Sequence, residues 1–250
     1  MADDSIQSAD KIWKAWKKNE LRCNRCDNHD DNLHFRAKLS TNDDADVMII
    51  GLEPNARDRT AKNASDISGL EVESHHNKDL AEVDYLQDVL DVYYDPNEDW
   101  PSGRFVGNLI EHSDLTQADI YLTNDKKCGN IEKGGNIPPE EVENMNQKAC
   151  TNCKQYLPSE IEFVDPSAIV LCGKRVVKHI NEFYHMDLPE ECAKKALQSK
   201  RSDDREFVVA PNFGRYGLNL SQHHPKFDGK GTEKAFAKRL GDKLIGLVNR

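Results

Sequence analysis

The stretch Val47-Met-Ile-Ile-Gly-Leu-Glu-Pro54 decides the fold. Four consecutive apolar residues, three of them β-branched, run into a glycine and then a proline, which reads as a short strand buried on both faces and stopped by a turn. Three more runs share this form: IYLTND from Ile120, AIVLCG from Ala168 and FVVAPN from Phe207. Helical spacing separates them. Leu80, Val83, Leu86, Leu90 and Tyr93 recur at one face's interval, as do Val176, Val177 and Ile180 after the third run. Thr232 is placed to cap a last helix with Phe236, Leu240, Leu244 and Leu247 along one side. Strands alternating with helices predict an α/β fold, a three-layer α/β/α arrangement around a central four-stranded parallel sheet.

The chain of 250 residues, 37% of them hydrophobic, can build one large core, and no repeat or low-complexity tract divides it. A single domain over 1–250 is expected. Polar runs at Arg57–Lys78 and Gly129–Glu141 read as loops. No apolar stretch approaches the roughly 18 residues of a membrane span, and MADDSIQSADKIW lacks the basic-then-apolar order of a signal peptide. A complete, cytoplasmic protein with no membrane partner is expected, with a monomer as its default state. The formal net charge of −10 argues against non-specific coating of nucleic acid, which depends on Lys and Arg, but leaves room for a local basic cleft.

Seven cysteines in such a protein point to thiols or metal ligands before disulfides. An N-terminal helix through Ile12, Trp13 and Trp16 leads into Cys23 and Cys26, a C-x-x-C pair that lets two thiolates face one metal. Cys150 and Cys153 repeat that spacing, Cys128 follows two lysines, and Cys172 and Cys192 lack a pair. Structural zinc through Cys23, Cys26, Cys150 and Cys153 and an iron-sulfur cluster on four thiolates both fit the spacing.

Glu53 follows the first strand, at the edge where open α/β sheets place their sites, with Gly51 permitting close backbone approach and Pro54 stiffening the turn. Alone it also reads as a solvated loop acid. Farther on come GRFVG at Gly103–Gly107, TNDKKC at Thr123–Cys128, NCKQYLPSEIEFVDPSAIVLCG at Asn152–Gly173 and HHP at His223–Pro225.

In this order the motifs resemble the iron-sulfur type of uracil-DNA glycosylase, closest to its thermophile and archaeal cluster-containing branch, over roughly residues 20–60 and 100–245. The resemblance implies a monofunctional DNA-repair glycosylase that hydrolyses the N-glycosidic bond of deoxyuridine, releases uracil and leaves an abasic site. Its partner would be uracil-containing DNA, and it would work in a prokaryotic cytoplasm at the nucleoid. A [4Fe-4S] cluster would be held by Cys23, Cys26, Cys128 and Cys153, with residues 1–45 as the cluster-binding segment.

The same resemblance gives roles to other residues. Phe105 would stack on the flipped base, although it also reads as a core phenylalanine beside Val106. Asn124 would read the uracil edge, although a turn asparagine at a strand end is common. Glu53 would act toward the sugar or water, and His224 would donate to the departing uracil. His223 lacks the direct H-P context. KFDGKGTEK, with Lys226 and Lys230, would meet DNA phosphates.

Two features depart from the pattern. Leu52 stands where many members carry the acid directly after glycine, and Asn55 replaces a later glycine. About 44 residues, roughly 59–102, with His75 and His76 among them, are inserted before GRFVG. These leave two alternatives: a glycosylase for another deaminated base such as hypoxanthine, and a catalytically inactive, metal-stabilised DNA-binding relative.

Overall fold

The computed structural model describes residues 44–52, 101–126, 156–212 and 232–249, together with Glu140, Asn144, Gln147 and Thr151, which are helical. The strands are β1 (Val47–Gly51), β2 (Ile120–Asn124), β3 (Ala168–Cys172), β4 (Ser199–Ser202) and β5 (Arg205–Ala210). The main helices are α1 (Pro101–Glu111), α2 (Tyr156–Val164), α3 (Lys174–Tyr184) and α4 (Thr232–Val248). Strand order is β2-β1-β3-β5-β4. β1 pairs in parallel with β2 and β3, and β3 pairs in parallel with β5. These four strands are the four apolar runs of the sequence.

Side-chain alternation along the strands divides the core into two layers, as a pleat of period two requires. Val47, Ile49, Ile120, Leu122, Val170, Cys172, Val208 and Ala210 face α1 and α4, where they meet Phe105, Val106, Leu109, Phe236, Leu240 and Leu244. Met48, Ile50, Tyr121, Ile169, Leu171, Phe207 and Val209 face α2 and α3, where they meet Leu157, Ile161, Val176, Val177 and Ile180. Helices thus cover both faces of one mostly parallel sheet, the expected three layers. The apolar side foreseen for α4 holds, with Leu247 packed at the margin of the same layer.

Strand β4 has no counterpart among the apolar runs of the sequence. It joins β5 as an antiparallel edge strand through a two-residue turn in which Asp203 (φ 49°) and Asp204 (φ 64°) both have positive φ. Two successive positive φ values suit a tight hairpin of matching twist, and aspartate tolerates that region better than most residues. Ser199–Ser202 is polar and only partly buried, so no apolar run announced it. Helix α1 was also unforeseen: GRFVG lies inside it, and its first two residues come from the end of the 59–102 insertion.

Three contacts lock the α1–α4 layer. Arg104 pairs with Glu233 (Nε–Oε2 2.9 Å), and the Phe105 and Phe236 rings lie 6.2 Å apart. Gly241 of α4 passes so near the end of α1 that a Cβ there would lie 2.1 Å from Cβ of Ser113. Overpacking of this kind costs about 1–3 kcal/mol. Gly241→Ala is therefore expected to lower the urea midpoint by that much stability, and adding Ser113→Gly to recover most of it.

Candidate active site

The parallel strands carry their chemistry at their C-terminal ends, near the point where the chain's progress across the sheet reverses. From β1 the chain moves outward through α1 to β2, then returns through α2 to the other side of β1 at β3. Open α/β sheets form a crevice at such a reversal.

Four strand-end residues form a row there. Asn124 is in register with Gly51, and Cys172 with Ala210. Cys172 and Ala210 belong to the layer under α1 and α4. The pleat puts Asn124 and Gly51 on the same face, because Ile120 and Leu122, and Val47 and Ile49, alternate onto it. Beside Asn124 the row has no side chain at Gly51 and small ones beyond. Asn124 is 4% exposed, and its Nδ2 has no hydrogen-bond partner among the described residues. Leaving such a donor unpaired costs about 1–3 kcal/mol, so this amide is the chemical feature of the lip that asks for a ligand.

The opposite face of β2 carries a polar row that the sequence reading missed. The Tyr121 and Thr123 hydroxyls both donate to Oε1 of Glu160 on α2, each at 2.8 Å. Next in phase, Asp125 is fully buried and its Oδ2 pairs with Nδ1 of His179 on α3. The ladder to β1 continues past Asn124: the Asp125 N–H donates to the Gly51 carbonyl and the Lys126 N–H to the Leu52 carbonyl, both at 2.9 Å. Lys126 is itself buried. A sequence clue existed in Glu160, one acid at the apolar interval of Leu157, Ile161 and Val164; no comparable pattern pointed to His179.

Gly173, at the start of α3, completes the lip. Its φ of 106° suits glycine, its N–H donates to the Ala210 carbonyl at 3.1 Å, and an added Cβ would press within 3.2 Å of Cβ of Asn212.

Of the expected site residues, the structure brings Gly51 and Asn124 together at one lip. Phe105 lies on α1, on that same face of the sheet, with its ring 1% exposed in the α1–α4 core. Glu53, His224, His223, Cys23, Cys26, Cys128, Cys150 and Cys153 lie outside the described residues, as do the N-terminal helix, the Leu80–Tyr93 helix and KFDGKGTEK up to Gly231. Among the described residues no group of three or more His, Cys, Asp or Glu could hold a metal, and no helix is long and apolar enough to cross a membrane.

A family model described as the uracil DNA glycosylase superfamily matches residues 40–237. No curated protein matches the chain. The matched span contains the whole sheet, the Asn124 lip and the first turns of α4.

Burial distinguishes the two described cysteines from candidate ligands. It pushes the Cys172 thiol well above its usual value, with Cys192 adding to the effect, and pushes Cys192 up to about 11. Thiolates are the reactive and metal-binding form, so both should be inert near neutrality. Iodoacetamide at pH 8 is expected to leave Cys172 and Cys192 unmodified in the native protein, and to label both after unfolding, as mapped by mass spectrometry.

Proposed function

We propose a base-excision reaction for this chain, which belongs to the uracil DNA glycosylase superfamily: hydrolysis of the N-glycosidic bond of deoxyuridine in DNA, releasing uracil and leaving an abasic site. Members of the superfamily are DNA glycosylases, so the reaction class follows from membership. The choice of base rests on one observation, the buried Asn124 amide with its unpartnered Nδ2 at the lip.

A flipped uracil offers a carbonyl that accepts from Nδ2 and a ring N–H that donates to Oδ1. Cytosine presents the reverse pattern and would leave both groups of a buried amide unpaired, the kind of mismatch that discriminates most strongly. Gly51, in register with Asn124, leaves the space a planar base needs. Phe105, on the same face, supplies the aromatic stacking partner; with its ring 1% exposed, stacking calls for its surroundings to move as the base enters.

Cleavage builds positive charge on the sugar and negative charge on the leaving base. In this reading Glu53 faces the sugar and orients water, and His224 donates to uracil O2. Leu52 supports the first assignment. Its side chain is apolar and packs against the α2–α3 layer, the face opposite Asn124, so position 52 offers no acid to the lip in this chain. The acid of this chain is then the next residue, Glu53.

The same proposal places the protein in the iron-sulfur branch, acting as a monomer on DNA, with a [4Fe-4S] cluster on Cys23, Cys26, Cys128 and Cys153. The donor set is compatible with this: with Cys172 and Cys192 buried as neutral thiols, the five other cysteines of the sequence are left as candidates for a four-thiolate site. Such a cluster would supply structural cross-linking of distant segments. Zinc through Cys23, Cys26, Cys150 and Cys153 makes the contrary prediction on one residue. Cys128→Ala should lose iron if the cluster is present, whereas Cys150→Ala should lose zinc if zinc is.

Uracil release from a labelled oligonucleotide tests the reaction. Asn124→Ala and Glu53→Ala are each expected to lower the rate by about a hundredfold or more, on the scale of losing one preorganised catalytic donor. Absence of uracil release by metal-replete wild-type protein would overturn the assignment. Release of hypoxanthine in its place would move the reading to another deaminated base, and tight DNA binding without turnover to an inactive relative.

A further inference from the structure

Asp125 follows Asn124 directly and points the opposite way. Its carboxylate is fully buried, one oxygen is held by His179 Nδ1, and Oδ1 has no partner among the described residues. The His179 side chain is itself only 11% exposed. A buried acid at the rim of a sheet is costly unless held, and here the holding group comes from α3, which is 54 positions distant in sequence.

The geometry decides what the pair does. Successive side chains of a strand must take opposite faces, so the face taken by Asp125 fixes the face left to Asn124. Beyond Asn124 the Asp125 and Lys126 N–H groups bond to the Gly51 and Leu52 carbonyls, and those backbone bonds hold the chain to its neighbour without setting side-chain direction by themselves. The bond to His179 draws Asp125 onto the α2–α3 face. Farther back, Tyr121 and Thr123 are drawn the same way by Glu160. Asn124 therefore sits between two anchored residues that both point away from it.

We propose that Asp125 and His179 form a positioning pair that holds the Asn124 amide in its base-reading orientation. This rests on the proposed reading of Asn124. His179 touches no reacting atom in this scheme; it acts through Asp125 and the strand. The pair adds a specificity device to the site, since a wandering amide would lose the uracil pattern without losing the pocket.

Two nearly isosteric substitutions separate the pair's role from bulk or stability. His179→Asn sets an amide nitrogen where Nδ1 stands, and His179→Gln sets it where Nε2 stands, out of reach of Asp125. His179→Gln is expected to lower kcat for uracil release about tenfold to a hundredfold, as small misplacements in a site do, with KM within about threefold. His179→Asn should keep most of the wild-type kcat. Adding Asp125→Ala to His179→Gln should cause little further loss, because the two act as a unit.

A second readout does not depend on turnover: the Asn124 side-chain amide resonances, assigned by their loss in Asn124→Ala, should shift in His179→Gln and stay near wild type in His179→Asn. Equal kcat in all three proteins, or equal losses in both variants with unmoved Asn124 resonances, would overturn the pair. If wild-type protein releases no uracil, the proposed function falls, and the resonances alone still decide whether His179 positions Asn124.

Discussion

The central position of β1 constrains the rest of the molecule. Neighbours on both sides take up its backbone donors and acceptors, and helices cover both of its faces, so Val47 to Ile50 are wholly apolar and buried. A strand in that setting has nowhere to carry chemistry except its end. At that end stands Gly51, where the absence of a side chain opens the layer just as the sheet gives way to the lip. Everything polar in the site is arranged around this opening: the amide of Asn124 in register with it, and the backbone carbonyls of Gly51 and Leu52 that capture the next two N–H groups of β2.

β2 lies at the edge of the described sheet and solves a different problem. Among the described residues it has one neighbouring strand where β1 has two, and its side chains add restraint of their own. Tyr121 and Thr123 share the Glu160 carboxyl, and Asp125 is held by His179, so one face of the strand is tied to two helices. Apolar packing alone would bury as much area. It would not specify direction as sharply, because hydrogen bonds to a buried acid fail abruptly when a strand shifts by one residue.

The sheet was legible because each of its parallel strands is a short apolar run closed by a turn. The strand-end places of Asn124 and Gly51 were legible too, because each closes an apolar run, while their register with one another is a product of the fold. The hairpin strand β4 was hidden by its polarity and by an Asp-Asp turn in place of the usual glycine signal. The pairings of Glu160 and His179 were hidden for another reason. Their partners lie 37 to 54 positions away, and no local periodicity encodes which of many acids and histidines meets a strand across the core. Phe105 illustrates the limit of motif reading: GRFVG named the residue, while only the fold shows that its ring packs against Phe236 inside the α1–α4 layer.

The lip of this sheet holds two buried polar atoms on consecutive residues that have no partner among the described residues, Nδ2 of Asn124 and Oδ1 of Asp125, one on each face. Each costs about 1–3 kcal/mol if nothing meets it, a sizeable share of the net stability of a domain this size. A fold under selection for stability alone would replace Asn124 with an apolar residue, as at Leu122 two positions earlier on the same face. Keeping the amide makes sense where a ligand completes it, since the desolvation already incurred in the free protein need not be met again on binding. On the proposed reading, uracil then gains the full hydrogen bond, and a base of reversed pattern gains nothing while keeping the amide unpaired. Preorganisation of this sort works only if the amide cannot turn aside to find another partner, which is why the restraint on the far face of β2 belongs to the same device as the opening on the near one.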